Sequence, residues 1–278
     1  MRIAMTRSPG PELARCELTH LPRRPIDCTL ARAQHQGYQD ALRRAGVHVL
    51  ELPADPSLAD GVFVEDTAVV LEEVAVVASP FPRSRRAEPP AVETALRSFR
   101  PLLRLPANVC LEGGDVLRLG HTLYVGLSAR TGGPGLQALE AIVRPMGYAV
   151  VPVRVHGCLH LKSACTALDG KTLLVQRAWL DSGAFSGVGL VDVPTEEPWG
   201  ANVLRLPGAV FVSAAFPRTA DLVKGLGYAS VPLDVSELHK AEAGLTCMSL
   251  VFEQPLGDGG LPIGIEGRPL RVKFGSPG

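Results

Sequence analysis

Paired apolar runs separated by two-residue turns recur along the chain. Residues 67–71 and 74–79 meet at Glu72-Glu73, and 116–119 and 122–127 meet at Gly120-His121. Residues 164–168 and 172–176 meet at Asp169-Gly170, and 203–206 and 209–214 meet at Pro207-Gly208. Apolar, β-branched runs flanking a short turn, three of these turns carrying Gly, predict β-hairpins. Each hairpin is followed by a stretch with helical character and then by another β-rich run: 91–99 then 102–105, 135–146 then 148–155, and 218–226 then 228–233. After residue 176 the helical stretch is replaced by irregular sequence, but 189–193 again reads as a strand. The unit is strand, strand, helix, strand, with a period of about 45 residues.

The N-terminus supplies a split unit. Residues 2–6 read as a strand, 30–44 as a helix and 47–52 as a strand, and the partner strand is the last apolar run, 245–252. Pairing of the two chain ends gives an α/β fold of five ββαβ modules, a propeller closed head to tail in a single domain over 1–253. Closure removes open sheet edges between first and last module, a physical reason to prefer it over an open two-layer α/β sheet. Residues 254–278 form a Gly/Pro-rich C-terminal extension with a short apolar run at 269–274.

Equivalent positions of the repeat carry reactive side chains. Asp66, Glu112, His160, the Gly200-Ala201-Asn202 stretch and Cys247 all fall just before or at the start of a hairpin's first strand. In a ring these strand starts converge on one end of the axis, so two carboxylates, a histidine and a thiol share a pocket. Arg7, Arg85, Arg130, Arg177 and Arg218 fall where second strands end. This second set suggests cations at the rim of the same channel, suited to a substrate carboxylate.

Composition narrows the class. With 46% hydrophobic and 20% charged residues and no net charge, the chain is an ordinary globular protein without the basic balance of a nucleic-acid or acidic-membrane binder. No apolar run approaches the roughly 18 residues of a membrane span. The first residues lack a signal peptide's apolar core, so a cytoplasmic protein is expected. The cysteines at 16, 28, 110, 158, 165 and 247 form no C-x-x-C pair and no Cys/His cluster at zinc spacing. They are expected as free thiols, with no structural metal.

Cys247 stands out by its place in the repeat. On its own it is either a small buried hydrophobe or a nucleophile. Beside a histidine and carboxylates it becomes part of a nucleophile, acid/base and orienting set. Carboxylates near a thiol oppose its ionisation, so Glu65, Asp66 and Glu112 make sense if the substrate is itself a cation. A guanidinium fits, being planar, cationic and edged with forked donors, with a central carbon open to a thiolate.

At 63–66 (Phe-Val-Glu-Asp), 111–115 (Leu-Glu-Gly-Gly-Asp), 159–163 (Leu-His-Leu-Lys-Ser) and 245–249 (Leu-Thr-Cys-Met-Ser) the sequence resembles the dimethylarginine dimethylaminohydrolases. That family belongs to the guanidino-group-modifying, or pentein, superfamily of five-module α/β propellers. Ser84-Arg85-Arg86 and 126–131 resemble it too. The resemblance implies a cysteine hydrolase that converts asymmetric dimethylarginine or monomethylarginine to citrulline plus dimethylamine or methylamine. It implies that Cys247 attacks the guanidinium carbon to form a thiouronium intermediate. His160 would protonate the leaving amine and then activate water, and Glu112 would orient and stabilise His160. Glu65 and Asp66 would bind the guanidinium and Arg85 and Arg130 the α-carboxylate. Asp60 and the carbonyls of Leu18 and Ala241 would take the α-ammonium.

No cofactor is implied, and zinc on Cys247 and His160 would be inhibitory. The expected partner is a small molecule, a methylated arginine, with neither nucleic acid nor membrane; a homodimer is compatible with the chain. The alternatives are a deiminase or hydrolase of arginine or another guanidino or ureido amino acid, and a catalytically silent propeller. Arginine and agmatine deiminases typically carry Arg where Glu65 stands and Asp where Lys162 stands, which favours the methylarginine hydrolase. The loop over 10–25, which bears Leu18, is the expected lid.

Overall fold

A computed structural model describes residues 1–256 of the chain. The expected 254–278 extension, including its apolar run at 269–274, lies from residue 257 onward outside the described residues. Strands β1 (Arg2–Arg7) and β2 (His48–Leu52) run parallel in the first sheet. The second sheet holds β3 (Ala68–Val70), β4 (Ala75–Val77) and β5 (Leu102–Arg104). The third holds β6 (Val116–Leu119), β7 (Thr122–Leu127) and β8 (Ala149–Arg154). The fourth holds β9 (Cys165–Ala167), β10 (Thr172–Val175) and β11 (Gly189–Asp192), and the fifth β12 (Leu204–Leu206), β13 (Ala209–Ser213) and β14 (Ser230–Leu233). In each of these four sheets the first two strands form an antiparallel hairpin and the third runs parallel to the second. Strand β15 (Leu250–Glu253) pairs antiparallel with β1, with Leu250 opposite Met5 and Glu253 opposite Arg2. The chain ends thus supply the hairpin of the first module, and the expected five-module ring closes.

Burial explains why the ring holds. The apolar core is divided into five clusters, and each is shared by two neighbouring modules. One joins Ile3 and Met5 to Ala75 and Val92. Others join Val69 and Val76 to Leu111 and Val125, and Tyr124 and Val153 to Cys165 and Leu173. The fourth joins Leu174 to Val203 and Val210, and the fifth joins Leu206 and Phe211 to Val49 and Met248, completing the circle. A single module would leave both faces of its sheet wet, so neighbours stabilise one another by burial.

The helices cover the outside. In α1 (Cys28–Arg44) the Asp27 carboxylate caps the amides of Thr29 and Leu30, and Ala31, Tyr38, Ala41 and Leu42 face the core. The helices α2 (Pro89–Leu96), α3 (Gly133–Val143) and α5 (Pro217–Gly225) begin one or two residues before their apolar periodicity. Each carries Pro in its first turn, where a missing N–H costs nothing. The fourth module has two 3-10 turns, Arg177–Trp179 and Ser182–Ala184, in place of a helix. Asp181, Ser182, Gly183, Ser186 and Gly187 favour turns over a helix there.

A feature absent from the sequence reading precedes the first strand in four modules: one helical turn. These turns are Val64–Thr67, Gly113–Asp115, α4 (Leu161–Ala164) and Pro198–Ala201. They shorten β3, β9 and β12 relative to expectation. They also bend the chain toward the axis where Glu65, Asp66, Glu112, His160 and Asn202 sit.

Candidate active site

The turns deliver their side chains to one buried cluster. His160 Nε2 lies 2.7 Å from Glu112 Oε2, and its Nδ1 lies 3.8 Å from Asp66 Oδ1. Glu112 is fully buried, and its Oε1 accepts the Phe81 amide at 3.1 Å. Two guanidiniums flank it, Arg85 Nη1 at 3.7 Å and Arg130 Nη1 at 3.6 Å. Asp66 accepts from Arg85 Nη1 at 2.8 Å and from the Gly114 amide at 3.1 Å. Burial would raise both carboxyls, but His160 and the arginines outweigh it and hold Asp66 and Glu112 below the usual range. Burial alone would lower His160, yet Asp66, Asp115 and Glu112 raise it to about 9, so it is an imidazolium at neutral pH. Oxygen and nitrogen atoms of Asp66, Glu112 and His160 lie within 4.8 Å of one another, near enough for a cation to bridge. These groups are occupied with each other and with the arginines.

The two glycines of the Glu-Gly-Gly-Asp motif make this approach sterically feasible. A Cβ on Gly114 would stand 2.6 Å from Asp66 Oδ1 and 2.8 Å from His160 Nδ1, and one on Gly113 would stand 2.0 Å from the Glu65 carbonyl oxygen. Asp115, the last residue of that motif, is buried behind the histidine. It accepts the Leu161 amide at 2.8 Å and the Ser128 hydroxyl at 2.6 Å, fixing the turn that carries His160.

Cys247 is 9% exposed, and its Sγ accepts the Gly244 amide at 3.3 Å. Burial, together with Glu65 and Asp66, pushes its thiol up to about 12. Cys16, Cys158 and Cys165 are buried packing thiols, also raised chiefly by burial. Glu65 donates its backbone N–H to the Cys247 carbonyl at 3.2 Å, tying the second module to the turn that carries Cys247. Its carboxylate is already partnered: Lys162 Nζ at 2.6 Å on Oε1 and the Thr246 hydroxyl at 2.7 Å on Oε2. Burial raises the Glu65 carboxyl and Lys162 lowers it, with burial the stronger.

Among the expected carboxylate anchors, Arg130 and Arg85 differ. Arg130 Nη2 donates to the Thr19 hydroxyl at 3.0 Å, and its buried Nη1 has no hydrogen-bond partner. Arg85 is fully engaged with Glu88, Asp66 and the Phe63 carbonyl. The five-arginine set does not hold together. Arg177 and Arg218 are exposed and pair with Asp192 and Glu196, because the helix-less fourth module and the first turn of α5 turn them outward. Arg7 is buried, donating to the Gly61 carbonyl.

The loop bearing Leu18 lies over the site. Asp60 accepts the Glu17 amide through both oxygens at 3.2 and 3.1 Å, and Leu18 and Ala241 pack in the cluster that contains Cys247. The Ser84 hydroxyl donates to Glu17. Glu242 accepts the amides of Thr19 at 3.0 Å and of His20 and Leu21 at 2.5 Å. It does so from a left-handed backbone, φ 59°, the sole non-glycine residue there among those described. Sequence reasoning gave no role to Glu242, Thr19, Thr246 or Asn202. Asn202 alone carried a signal, its phase in the repeat. Its carboxamide donates to the Lys162 carbonyl at 2.8 Å and accepts the Thr246 amide at 3.0 Å, bracing the Cys247 turn against the fourth module.

The chain is similar to known proteins over most of its length. The family model described as N,N dimethylarginine dimethylhydrolase, eukaryotic, matches residues 24–168. The N(G),N(G)-dimethylarginine dimethylaminohydrolase of Streptomyces coelicolor is 38% identical over 255 residues, covering 89% of this chain and 95% of that protein. The enzyme of the same name from Pseudomonas aeruginosa is 33% identical over 228 residues, covering 81% and 90%. A cysteine-to-serine variant of the Pseudomonas aeruginosa enzyme, solved in complex with citrulline, superposes with a TM-score of 0.85 at 31% identity, covering 90% of this chain and 98% of that one. The N-terminal domain of a cyanobacterial arginine dihydrolase shares the fold at a TM-score of 0.81 and 16% identity. The chain belongs to the dimethylarginine dimethylaminohydrolase family.

Proposed function

We propose that this protein hydrolyses Nω-methylated arginines to citrulline and dimethylamine or methylamine, with Cys247 as nucleophile. The observation that carries the assignment is the arc of carboxylates, Glu65, Asp66 and Glu112, around a thiol held up at about 12. Such a thiol is almost wholly protonated at neutral pH without a cation beside it. A guanidinium seated on the carboxylates neutralises the charge that opposes ionisation and favours the thiolate beside its own electrophilic carbon.

The steps balance on the residues present. As the guanidinium seats, the Cys247 thiol gives its proton to solvent. The thiolate adds to the guanidinium carbon, and the C–N bond to the methylated nitrogen breaks as the His160 imidazolium gives that nitrogen a proton. The thiouronium left on Cys247 is attacked by water, whose proton passes to the now neutral His160. Breaking of the C–S bond releases citrulline, and the adduct's hydroxyl proton goes to the departing thiolate, restoring the thiol. Glu112 keeps His160 oriented and charged through the 2.7 Å contact. Asp66 takes a guanidinium edge, and Glu65 shares its oxygens between substrate, Lys162 and Thr246.

Arg130, whose Nη1 makes no hydrogen bond, is the principal anchor for the α-carboxylate, and Arg85 lies beside it across Glu112. Asp60 and the carbonyls of Leu18 and Ala241 receive the α-ammonium under the loop. The substrate is a small molecule, and no helix of the described residues is long and apolar enough to cross a membrane; the proposal is of a cytoplasmic enzyme. Lys162 speaks against a plain arginine deiminase, since an ammonium cannot accept from the second guanidinium edge. Acid-quenched turnover followed by peptide mass spectrometry tests the chemistry. A thiouronium mass increment on the Cys247 peptide is expected, and its absence at steady state together with unlabelled turnover would contradict covalent catalysis.

A further inference from the structure

The ring order of the modules leaves one arc of the site without a charged reactive group. Around the axis the positions run Cys247, Glu65 with Asp66, Glu112, His160, Asn202 and back to Cys247, since neighbouring modules share core clusters in that order. Carboxylates occupy the arc on one side of the thiol. On the other side, between His160 and Cys247, stands Asn202, and a chamber of about 110 Å³ opens there. Its walls include Leu21 from the loop over the site, Ser163 three residues after His160, Trp199, Phe216 and Gly244, whose amide touches Cys247 Sγ. None of Cys247, His160, Glu112 and Arg130 lines it, so it is a side chamber and not the guanidinium seat itself.

We propose that this chamber receives the substituent on the substrate's alkylated nitrogen, and that it admits alkyl groups larger than methyl. The inference rests on the hydrolase reading above and names the substrate class it reaches. A dialkylated guanidinium nitrogen has no N–H to donate and a monoalkylated one has a single N–H, so it serves a carboxylate poorly. It turns to the arc whose one carboxylate, Glu242, is already taken up by loop amides. That same arc adjoins His160, which must protonate this nitrogen.

The chamber walls suit hydrocarbon. Phe216 stacks on His239 at 5.4 Å, and burial lowers His239 to about 4, so the pair presents neutral aromatic faces. Trp199 is held by Trp179 at 4.5 Å. The one carboxylate in the lining, Glu242, is consumed by three loop amides, and the Asn202 carboxamide is consumed by Lys162 and Thr246. On the scale where a single water needs about 10–15 Å³, the space exceeds what two methyl groups fill. The bond changes are those of the methylated substrate: the C–N bond to the alkylated nitrogen breaks, and His160 supplies the proton with which the alkylamine leaves.

The test is turnover of Nω-propylarginine beside Nω-monomethylarginine, with both citrulline and the released amine measured. The expected result is a kcat/KM for the propyl substrate within about tenfold of the methyl one, with propylamine and citrulline formed one to one. Phe216→Trp and, separately, Ala243→Val at another residue of the chamber wall narrow it. They should lower the propyl value at least tenfold while changing the methyl value less than threefold; two variants are used so that a folding defect in one does not decide the matter.

Methyl turnover with no propyl turnover would overturn the inference and leave the hydrolase reading standing. Release of ammonia with Nω-propylcitrulline would overturn it too, since the alkylated nitrogen would then lie elsewhere. So would equal losses on both substrates in two folded variants. Absence of turnover on every alkylated arginine would overturn the inference together with the hydrolase reading.

Discussion

Glu112 Oε2 stands 2.7 Å from His160 Nε2, and both side chains are almost wholly removed from solvent. The contact orients the ring and, with Asp66 and Asp115, keeps the imidazole protonated up to about pH 9. Glu112→Gln keeps the shape and removes the charge, so the histidine's pKa should fall. The expected outcome is a kcat reduced by about 10²-fold or more, with the alkaline limb of the pH profile moved to lower pH. A pH profile that keeps its alkaline limb would show that Glu112 does not set the state of His160.

The Cys247 thiol should be slow to alkylate in the empty protein. With its pKa up at about 12, the rate with iodoacetamide should rise about tenfold per pH unit from pH 7 to 10 without levelling off. Peptide mass spectrometry must report Cys247 alone, because Cys28 and Cys110 are half-exposed. A plateau near pH 7 or 8 would mean that the free enzyme already holds a thiolate.

Gly113 is expected to be intolerant of any side chain. A Cβ there would meet the carbonyl oxygens of Glu65 at 2.0 Å and Ala68 at 2.8 Å, both backbone atoms that cannot turn aside. Gly113→Ala should lose about 1–3 kcal/mol or more in denaturant unfolding, with activity lost alongside. Unchanged stability would contradict the close packing of these two turns.

How much of this was legible in the sequence varies along the chain. The hairpins at 116–127 and 203–214 were readable because alternation and Gly turns agree locally. The ring closure was readable because the first strand lacked a hairpin partner in its own neighbourhood. The helical turns before β3, β9 and β12 were not, since four residues are too few to show a 3.6-residue period. Cys247, His160 and Glu112 could be singled out by their phase in the repeat. Glu242 could not: its left-handed backbone and its hold on residues 19–21 depend on a contact across more than 200 residues. The outward turn of Arg177 and Arg218 was equally hidden, being set by loop conformation.

Glu242 should act as the latch of that loop. Its carboxylate gathers the amides of Thr19, His20 and Leu21, which offsets the cost, about 1–3 kcal/mol, of a non-glycine left-handed residue. Glu242→Ala should raise KM and speed tryptic cleavage after Arg23, each roughly tenfold, the scale of one lost hydrogen bond to a charged group. Unaltered cleavage would mean that the loop is held by its Asp60 and Arg130 contacts alone.

The most direct test of the central claim is citrulline formation by the purified protein from asymmetric dimethylarginine and, in parallel, from arginine. The account predicts turnover of the methylated substrate well above arginine, abolished by Cys247→Ala. Turnover of arginine alone, or citrulline formation that survives loss of the Cys247 thiol, would contradict it.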